Sequence, residues 1–247
     1  MRKFGLIGYP LSHSFSKKYF ANKFEKEGIA DAQYELFPIA AISELPKLLS
    51  DNSDLVGLNV TIPYKEQVIA YLDVMDPKAE AIGAVNTIKI EGGKLTGYNT
   101  DYFGFKDSLL KFIGANGLPE KALILGTGGA SKAVKAVLED LGIEYKFVSR
   151  EPAEGQLSYE SIVSSPNHIL SSLLIVNTTP LGMSPNEASL ADLPYEQLTH
   201  DHLLYDLVYN PMKTAFMQKG IEAKCWVKNG LEMLHGQAEK SWEIWNG

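Results

Sequence analysis

Short apolar runs alternate with amphipathic segments through the first hundred residues. Three apolar runs predict β-strands, at residues 3–8, 33–38 and 55–60. Segments with helical spacing of apolar positions follow them, at about residues 14–28, 42–49 and 63–72. Residues 84–90 and 94–98 flank a Glu-Gly-Gly turn, which predicts a β-hairpin. A hairpin beside strand–helix units indicates an α/β domain whose sheet is mixed.

A second series of elements begins after a predicted helix at residues 102–113. Residues 114–119 are rich in glycine and proline and indicate a domain boundary. Further strands are predicted at residues 122–125, 145–149, 173–177 and 203–206, and helices at 131–141 and 230–245. We therefore predict a mixed-sheet α/β domain at 1–101, to which a helix at about 231–247 returns. A Rossmann-like domain is predicted at 102–230.

Composition and charge narrow the classes of protein that fit this pattern. Of the 247 residues, 45% are hydrophobic and 21% charged, which is ordinary for globular domains. The net charge of −7 argues against a nucleic-acid partner, because phosphate backbones bind basic faces. No apolar run is long enough to cross a bilayer, so we expect no membrane partner. An anionic ligand must be held by local cations and helix N-termini.

The cysteine and histidine content gives further expectations. Cys225 is the only cysteine, which favours a reducing compartment, and we expect a cytoplasmic location. A lone thiol is more typical of a small buried residue than of a nucleophile. The five histidines are scattered without the spacing of metal ligands, so no metal site is predicted. The expected assembly is a monomer or a homodimer.

A glycine-rich turn joins the predicted strand 122–125 to the helix that follows it. The turn reads Gly126-Thr127-Gly128-Gly129-Ala130. Glycines allow the bend and let a pyrophosphate approach the N-terminus of the helix. Such a turn is a weak signal alone, but here it lies inside a βαβ unit of the right length. The sequence therefore predicts a dinucleotide-binding loop.

The end of the next strand indicates which dinucleotide binds. NAD-binding sites usually place an acidic residue there, to bond the ribose 2′-hydroxyl. This chain has Ser149 and Arg150, and an arginine can hold a 2′-phosphate with its planar fork. Glu151 follows directly and would repel a phosphate. NADP is therefore the predicted cofactor, and NAD is the weaker alternative. If no ligand binds at this position, Arg150 is simply an arginine that faces solvent.

Two polar clusters follow strands of the first domain. Ser14 and Ser16 come at the start of a predicted helix, where hydroxyls and the helix dipole can hold a carboxylate. Simple capping of the helix is the alternative. Thr61 and Lys65 follow the third strand, and Pro63 suits the first turn of a helix that Thr61 would cap. Lys65 is then expected near the ligand-binding end of the sheet, or else as a surface lysine.

Two further polar residues lie at the hairpin. Asn86 is predicted inside an otherwise apolar strand, where a buried amide needs a partner and could bond a hydroxylated ring. Asp101 comes at the start of an apolar helix, and capping of that helix is an equally good explanation. Each residue has an ordinary structural explanation, but together they favour a polar ligand.

These segments together resemble the shikimate dehydrogenase family over nearly the whole chain. The strings that carry the resemblance are Ser14-Phe15-Ser16, Asn59-Val60-Thr61-Ile62-Pro63-Tyr64-Lys65, Gly83-Ala84-Val85-Asn86-Thr87, Asn99-Thr100-Asp101, Gly126-Thr127-Gly128-Gly129-Ala130, Asn177-Thr178-Thr179-Pro180-Leu181-Gly182-Met183, Tyr205-Asp206 with Tyr209-Asn210-Pro211, and Gly230-Leu231-Glu232-Met233-Leu234 with Gln237. Their number and order make the match far more specific than the glycine turn.

The resemblance implies reversible NADPH-dependent reduction of 3-dehydroshikimate to shikimate, a step of aromatic amino-acid biosynthesis. It implies that the catalytic pair is Lys65 and Asp101, which also contact the substrate. It implies that the remaining substrate-binding residues are Ser14, Ser16, Thr61, Asn86, Tyr209 and Gln237. It implies a cofactor site formed by Gly126, Thr127, Gly128, Gly129, Ala130, Ser149, Arg150, Thr178, Leu207, Gly230 and Met233.

Elementary chemistry agrees with the implied catalytic pair. The oxygen on the reacting carbon must exchange a proton with a side chain, and a lysine oriented by a carboxylate can do this. An enzyme that accepts quinate, or that uses NAD as well as NADP, is the nearest alternative. A dinucleotide-sensing module without turnover is an alternative of another class, and a folate-type dehydrogenase is more distant.

Overall fold

The computed structural model describes residues 1–11, 14–114 and 117–247. The chain divides into two compact units. Unit 1 comprises Met1–Thr100 and Ala238–Gly247, and unit 2 comprises Asp101–Gln237. The sequence predicts the second domain at residues 102–230. The observed unit 2 begins one residue earlier, at Asp101, and ends several residues later, at Gln237.

Unit 1 is built on a six-stranded mixed sheet. Its strands are β1 (Arg2–Gly8), β2 (Ala32–Pro38), β3 (Leu55–Val60), β4 (Val74–Met75), β5 (Thr87–Glu91) and β6 (Lys94–Tyr98). Their order is β2-β1-β3-β5-β6-β4, with β5 antiparallel to both neighbours and the other pairs parallel. The predicted hairpin is present, and Gly92 and Gly93 adopt the positive φ values that its turn needs.

The helices of unit 1 differ from the sequence prediction in two places. The α-helices are α1 (Phe15–Glu27), α2 (Leu45–Asp51) and α3 (Pro77–Ile82), and 3-10 turns occur at Ile42–Glu44 and Gln67–Tyr71. The helix predicted at residues 63–72 is wrong, because only its second half is helical, and then as a 3-10 turn. The short elements β4 and α3 were not predicted.

Both faces of the unit 1 sheet are covered by apolar side chains. Alternation along β1 directs Phe4 and Leu6 to one face and Ile7 to the other. The Phe4 face packs against α1 and against Trp245 near the chain end. At Gly57 of β3, a Cβ atom would lie only 2.3 Å from Nε1 of Trp245, so glycine is what admits this indole. The last residues of the chain are thereby built into unit 1.

Unit 2 is built on a six-stranded sheet in which every neighbouring pair is parallel. Its strands are β7 (Lys121–Leu125), β8 (Glu144–Ser149), β9 (Leu157–Ser158), β10 (Leu174–Asn177), β11 (Leu203–Asp206) and β12 (Trp226–Lys228). The order is β12-β11-β10-β7-β8-β9. Four strands were predicted to within a residue, and the short outer strands β9 and β12 were missed.

The remaining helices are α4 (Thr100–Ile113), α5 (Gly129–Asp140), α6 (Tyr159–Ser164), α7 (Asn167–Leu170), α8 (Ala215–Glu222) and α9 (Leu231–Asn246). The parallel sheet, with α5 crossing between β7 and β8, is the Rossmann-like architecture that the sequence predicted. Helices α6, α7 and α8 were not predicted. The helix α5 begins two residues earlier than expected, directly after Gly128.

Candidate active site

The carboxyl ends of β1 and β3 form one edge of the unit 1 sheet. These neighbouring parallel strands pair Ile7 with Val60. The backbone N–H of Thr61 donates to the Ile7 carbonyl at 2.9 Å. The methyl group of Thr61 lies so close to Gly8 that a Cβ there would come within 2.4 Å. The loops that follow the two strands, including Thr61, are thus held side by side.

Lys65 lies in a turn and not on a helix, so the predicted helix with Thr61 as its cap is wrong. Tyr64 N–H donates to the Thr61 carbonyl at 2.9 Å, which closes a turn. The buried Tyr64 hydroxyl donates to the Ile39 carbonyl at 2.7 Å and anchors the segment. Val85 N–H then donates to the Lys65 carbonyl at 2.8 Å. The half-buried Lys65 is thereby fixed beside the segment that carries Asn86.

Asn86 precedes strand β5 and is not inside it, which corrects the sequence prediction by one residue. Its carbonyl still accepts from Val60 N–H at 2.8 Å, so it belongs to the same sheet edge. The side chain is buried, with Oδ1 accepting from Thr100 N–H at 2.7 Å. Nδ2 donates to the Thr100 hydroxyl at 3.0 Å. The amide therefore has the partner that burial demands.

Ser14 precedes α1 but does not cap it. Its backbone has the extended conformation of a capping residue, yet its side chain makes no capping hydrogen bond. The hydroxyl oxygen is buried and has no hydrogen-bond partner among the described residues. The alternative that the Ser14 hydroxyl serves to cap the helix is therefore wrong. A buried hydroxyl without a partner costs free energy, which points to a ligand as its partner.

Ser16 differs from Ser14 because its hydroxyl already has a partner. Tyr34 donates its single phenolic hydrogen to Oδ1 of Asn59 at 2.7 Å. The hydrogen bond between Ser16 and Tyr34 must therefore be donated by the serine. Burial raises the pKa of Tyr34, and the bond from Ser16 partly offsets this. To bind an anion, the Ser16 hydrogen must rotate away from Tyr34.

Asp101 is the second residue of α4, since the helix begins at Thr100. Capping by Asp101 is therefore wrong, although a carboxylate in the first turn does interact favourably with the helix dipole. The side chain is buried, with 7% of its surface exposed. Asp101 directly follows Thr100, which is hydrogen-bonded to the side chain of Asn86. Lys65 belongs to unit 1 and Asp101 to unit 2.

The other predicted substrate residues also lie in unit 2. Tyr209 is half-buried three residues after β11, and burial raises its pKa. Gln237 is buried in α9, and its Nε2 donates to the Leu234 carbonyl at 3.0 Å. The structure thus divides the predicted substrate residues into one set on each unit.

The predicted cofactor residues collect at the carboxyl edge of the unit 2 sheet. The register pairs Leu125 with Val148 and with Asn177, and Asn177 with Asp206. The loops after β8, β7, β10 and β11 consequently lie in this order along one edge. They span three strand spacings, about 14 Å. The strand order reverses between β7 and β10, because β8 and β9 are added on one side of β7 and β10 to β12 on the other. Open α/β sheets bind ligands at such a point.

The glycine loop lies at this reversal. Gly126 has φ +95°, and a Cβ there would lie 2.8 Å from Cγ2 of Thr179. The Thr178 hydroxyl donates to the Leu125 carbonyl at 2.6 Å, which ties the two loops together. Around Gly128, a Cβ would meet nothing within 4 Å. This open approach to the N-terminus of α5 suits a pyrophosphate.

The end of β8 carries the two residues predicted to bind a ribose phosphate. Ser149 and Glu151 form a tight turn, in which the Glu151 N–H donates to the serine hydroxyl oxygen at 3.2 Å. Arg150, at the tip of this turn, is exposed. Burial raises the pKa of nearby Tyr159, and the charge of Arg150 partly lowers it. Arg150 is therefore accessible to an anionic ligand.

The far end of the edge brings Leu207 and Gly230 together. A Cβ at Gly230 would lie 2.0 Å from the Leu207 carbonyl oxygen, so only glycine permits this approach. Gly230 N–H donates to the Val208 carbonyl at 3.2 Å. Met233 follows in α9 and is buried. Three of the predicted nicotinamide-side residues therefore lie on adjoining segments.

One polar network at this edge was not recognised in the sequence. Asp206 is fully buried, and its carboxylate accepts hydrogen bonds from Asn177 Nδ2 at 2.9 Å, Val208 N–H at 3.0 Å and the Thr214 hydroxyl at 2.5 Å. Burial raises the Asp206 pKa to about 6, partly offset by these bonds. The network holds the loops that carry Thr178 and Leu207. The available signal was an aspartate as the last residue of an otherwise apolar strand.

Three further observations bear on the classes considered from composition. Within the described residues, no helix is both long and apolar enough to span a bilayer. No group of three or more His, Cys, Asp or Glu side chains in that part of the chain is arranged to hold a metal ion. Burial raises the pKa of Cys225 to about 11, so its thiolate is scarce at neutral pH.

The fold and its two polar edges define a two-unit α/β protein of the dinucleotide-binding class. A family model described as the shikimate dehydrogenase substrate binding domain matches residues 6–88. A shikimate dehydrogenase (NADP(+)) of Clostridium beijerinckii is 39% identical, over 99% of this chain and 92% of that one. The chain belongs to the shikimate dehydrogenase family, which confirms the resemblance found in the sequence.

Solved structures agree with this assignment and with the predicted fold class. The crystal structure of shikimate dehydrogenase 1 from Peptoclostridium difficile is 39% identical, with a TM-score of 0.84 over 100% of this chain and 92% of that chain. The enzyme from Thermus thermophilus, solved in complex with NADP(H) and shikimate, is 32% identical, with a TM-score of 0.83 over 100% of this chain and 94% of that chain.

Proposed function

We propose that this chain is an NADP-dependent shikimate dehydrogenase, which interconverts 3-dehydroshikimate and shikimate in aromatic amino-acid biosynthesis. The observation that carries the proposal is the buried hydroxyl of Ser14, which has no partner among the described residues and lies directly before the start of α1. Family membership supplies the substrate that fits it. A cyclic carboxylate with ring hydroxyls needs hydroxyl donors at one end and polar groups that both donate and accept at the other.

The proposed substrate contacts follow from this geometry. Ser14 and Ser16 donate to the carboxylate at the N-terminus of α1, where the helix dipole favours an anion. Thr61 and Asn86 bond the ring hydroxyls from the same sheet edge. From unit 2, Tyr209 and Gln237 contribute further contacts to the substrate. A chain with a net charge of −7 needs such local donors to hold an anion.

Lys65 and Asp101 are the proposed catalytic residues. NADPH, when bound, supplies the hydride that reduces the ketone carbon. Lys65 donates a proton to the ketone oxygen as that bond is reduced, and it takes the proton back in the reverse direction. Asp101 is the second member of the proposed pair, as the resemblance to the family implies. The hydrogen bond from Val85 N–H to the Lys65 carbonyl fixes the backbone of Lys65 beside the segment that carries Asn86.

The proposed cofactor site runs along the carboxyl edge of the unit 2 sheet. Residues 126–130 bind the pyrophosphate by backbone N–H groups at the start of α5. Ser149 and Arg150 hold the 2′-phosphate of the adenosine ribose. The residues proposed for the nicotinamide end are Thr178, Leu207, Gly230 and Met233. The open space at Gly128 and the order of the loops along the edge support this direction of binding.

A spectrophotometric assay with two substrates and two cofactors tests the proposal. Shikimate with NADP+ should give reduced nicotinamide, and quinate should react much more slowly. Equal rates with quinate would favour the broader quinate/shikimate enzyme, in which one pocket residue can shift preference. Binding of NADP+ without turnover of either substrate would favour the sensing module and overturn the proposal.

Two properties of the protein in the cell belong to the same proposal. A cytoplasmic location is supported by the single cysteine, since a protein without disulfides suits a reducing compartment. The proposed assembly is a monomer or a homodimer. Light scattering coupled to size-exclusion chromatography gives the mass in solution, and a mass above that of a dimer would contradict it.

A further inference from the structure

A buried hydrogen-bonded cluster lies next to the proposed substrate residues of unit 1. Its members come from four separate parts of the chain and each exposes 5% or less of its surface: Asn59, Thr87, Thr100 and Ser241. Asn59 belongs to β3, Thr87 opens β5 and Thr100 opens α4. Ser241 comes from α9 and lies 182 residues from Asn59 in the chain.

The hydroxyl of Ser241 connects the other three members. It accepts from Asn59 Nδ2 at 2.9 Å. It lies 2.8 Å from the Thr87 hydroxyl and 3.2 Å from the Thr100 hydroxyl. Removing this one oxygen therefore leaves three polar groups with fewer partners, in a place that water does not reach.

The cluster ends at Asn86 on one side. The hydroxyls of Thr87 and Thr100 each lie 3.2 Å from Oδ1 of Asn86, and Thr100 N–H donates to the same oxygen at 2.7 Å. The two threonines that contact Ser241 are thus the ones that orient the Asn86 amide. In the other direction, Asn59 accepts from Tyr34, which contacts Ser16.

Packing alone does not require a hydroxyl at position 241. The neighbouring inward residues of α9, Ala238 and Trp245, are apolar and join the aromatic core around Phe4. An alanine at 241 would fit the same helix face. A buried hydroxyl contributes only through the bonds it makes, and the contacts of Ser241 with Thr87 and Thr100 lead on to Asn86.

We propose that Ser241 is a positioning residue of the substrate site, which acts through Thr87 and Thr100 to orient the Asn86 amide toward a ring hydroxyl. This inference rests on the proposed function. It gives the C-terminal helix a part in substrate recognition without direct contact with the substrate.

Steady-state kinetics of Ser241→Ala tests the inference. We expect the KM for shikimate to rise by about three- to tenfold, as for one misplaced hydrogen bond. The KM for NADP and kcat should stay within about twofold. In an Asn86→Ala background, the same change should raise the shikimate KM by less than about 1.5-fold, because the residue it acts through is gone. Additive effects in this cycle would overturn the inference.

Ser108→Ala is the matched control. Ser108 is a buried serine of α4 in unit 2, and its hydroxyl accepts from Tyr205 at 2.8 Å. It should lower the melting temperature as Ser241→Ala does, while the shikimate KM stays unchanged. An equal rise in KM for both variants would mean general loosening and would overturn the inference.

A second variant covers the case in which Ser241→Ala does not fold. Thr87→Val keeps the side-chain shape and removes the hydroxyl between Ser241 and Asn86. It should show the same selective rise in shikimate KM, and a normal KM would overturn the inference. Absence of shikimate turnover in the wild-type chain would instead overturn the proposed function. Wild-type turnover with an unchanged Ser241→Ala KM would overturn this inference alone.

Discussion

The hydroxyl of Thr214 donates a 2.5 Å hydrogen bond to the buried carboxylate of Asp206. The same carboxylate accepts from Asn177 at the end of the neighbouring strand, at 2.9 Å. A single acidic side chain therefore ties together the loops after β10 and β11, which carry Thr178 and Leu207. Burying this carboxylate costs free energy, because its charged form loses its contact with water.

Asp206 predicts a pH dependence of stability. Burial raises its pKa from an ordinary 3.8 to about 6. Between these values the folded chain binds more protons than the unfolded chain, so stability falls as pH rises from about 4 to about 6. The size is on the order of 2–3 kcal/mol. The free energy of unfolding, measured by urea titration from pH 4 to pH 8, should show this fall in the wild type.

Asp206→Asn should remove that part of the pH dependence, because the amide keeps the shape and does not ionise. Other titrating groups contribute equally to both proteins and cancel in the difference between them. That difference should favour the wild type most near pH 4 and decrease toward pH 6. A difference that is constant across this range would contradict the raised pKa.

The two serines at the start of α1 should respond differently to substitution. Ser14→Ala should raise the shikimate KM by about 10- to 100-fold, because a donor to a charged group is lost. Its free energy of unfolding should not fall, since the hydroxyl has no partner among the described residues. Ser16→Ala should also weaken binding, but it should lose about 0.5–1.5 kcal/mol of stability with its bond to Tyr34.

Kinetics and urea unfolding of both serine variants check this difference. Ser16→Ala should cost no further stability in a Tyr34→Phe background, because the partner of the serine is already gone. The background variant is the reference, since it also lacks the bond from Tyr34 to Asn59. Equal losses of stability in Ser14→Ala and Ser16→Ala would show that the Ser14 hydroxyl is satisfied within the protein.

Lys65→Ala should lower kcat by about 10²- to 10⁴-fold, as expected for the loss of a general acid–base group. The hydrogen bond from Val85 N–H to the Lys65 carbonyl is made by the backbone and therefore persists in this variant. Lys94→Ala, at an exposed position of β6, is the control and should keep kcat within about twofold. Near-normal turnover in Lys65→Ala would make Lys65 a surface lysine.

Periodicity was a good guide to the sheets and a poor one to the segment after β3. The strands β3 and β11 were predicted with their observed bounds, since buried strands are continuous apolar runs. The apolar spacing within 63–72 imitated a helix. The segment instead begins with a turn, which is held by the hydrogen bond from the Tyr64 hydroxyl to the Ile39 carbonyl. No local sequence pattern encodes that contact.

The candidate site was predictable only where residues adjoin strands or glycine turns. Lys65, Asn86 and the loop after β7 follow such signals. The partners of Asn86 do not: Ser241 reaches the sheet because the chain returns at its end, and Tyr34 looks like an ordinary aromatic strand residue. Hydrogen bonds between distant segments depend on the tertiary arrangement, which propensity and spacing do not contain.

Gly230→Ala should destabilise unit 2. The added Cβ would lie 2.0 Å from the Leu207 carbonyl oxygen, so the backbone has to move. We expect a loss of about 1–3 kcal/mol, typical of overpacking. Gly128→Ala is the control, because its Cβ meets nothing within 4 Å and its φ of −75° suits alanine. Urea unfolding compares them, and equal stability of the two variants would contradict the close approach.

Arg150→Ala should separate the two cofactors. If the guanidinium holds a 2′-phosphate, its loss should raise the KM for NADP by about 10- to 100-fold and leave the KM for NAD little changed. Glu151→Gln is the complementary variant: it removes an anion beside the phosphate and should lower the KM for NADP. Both are measured with saturating shikimate. Parallel changes for NADP and NAD in Arg150→Ala would mean that Arg150 contacts what the cofactors share, and the 2′-phosphate would need another partner at the end of β8.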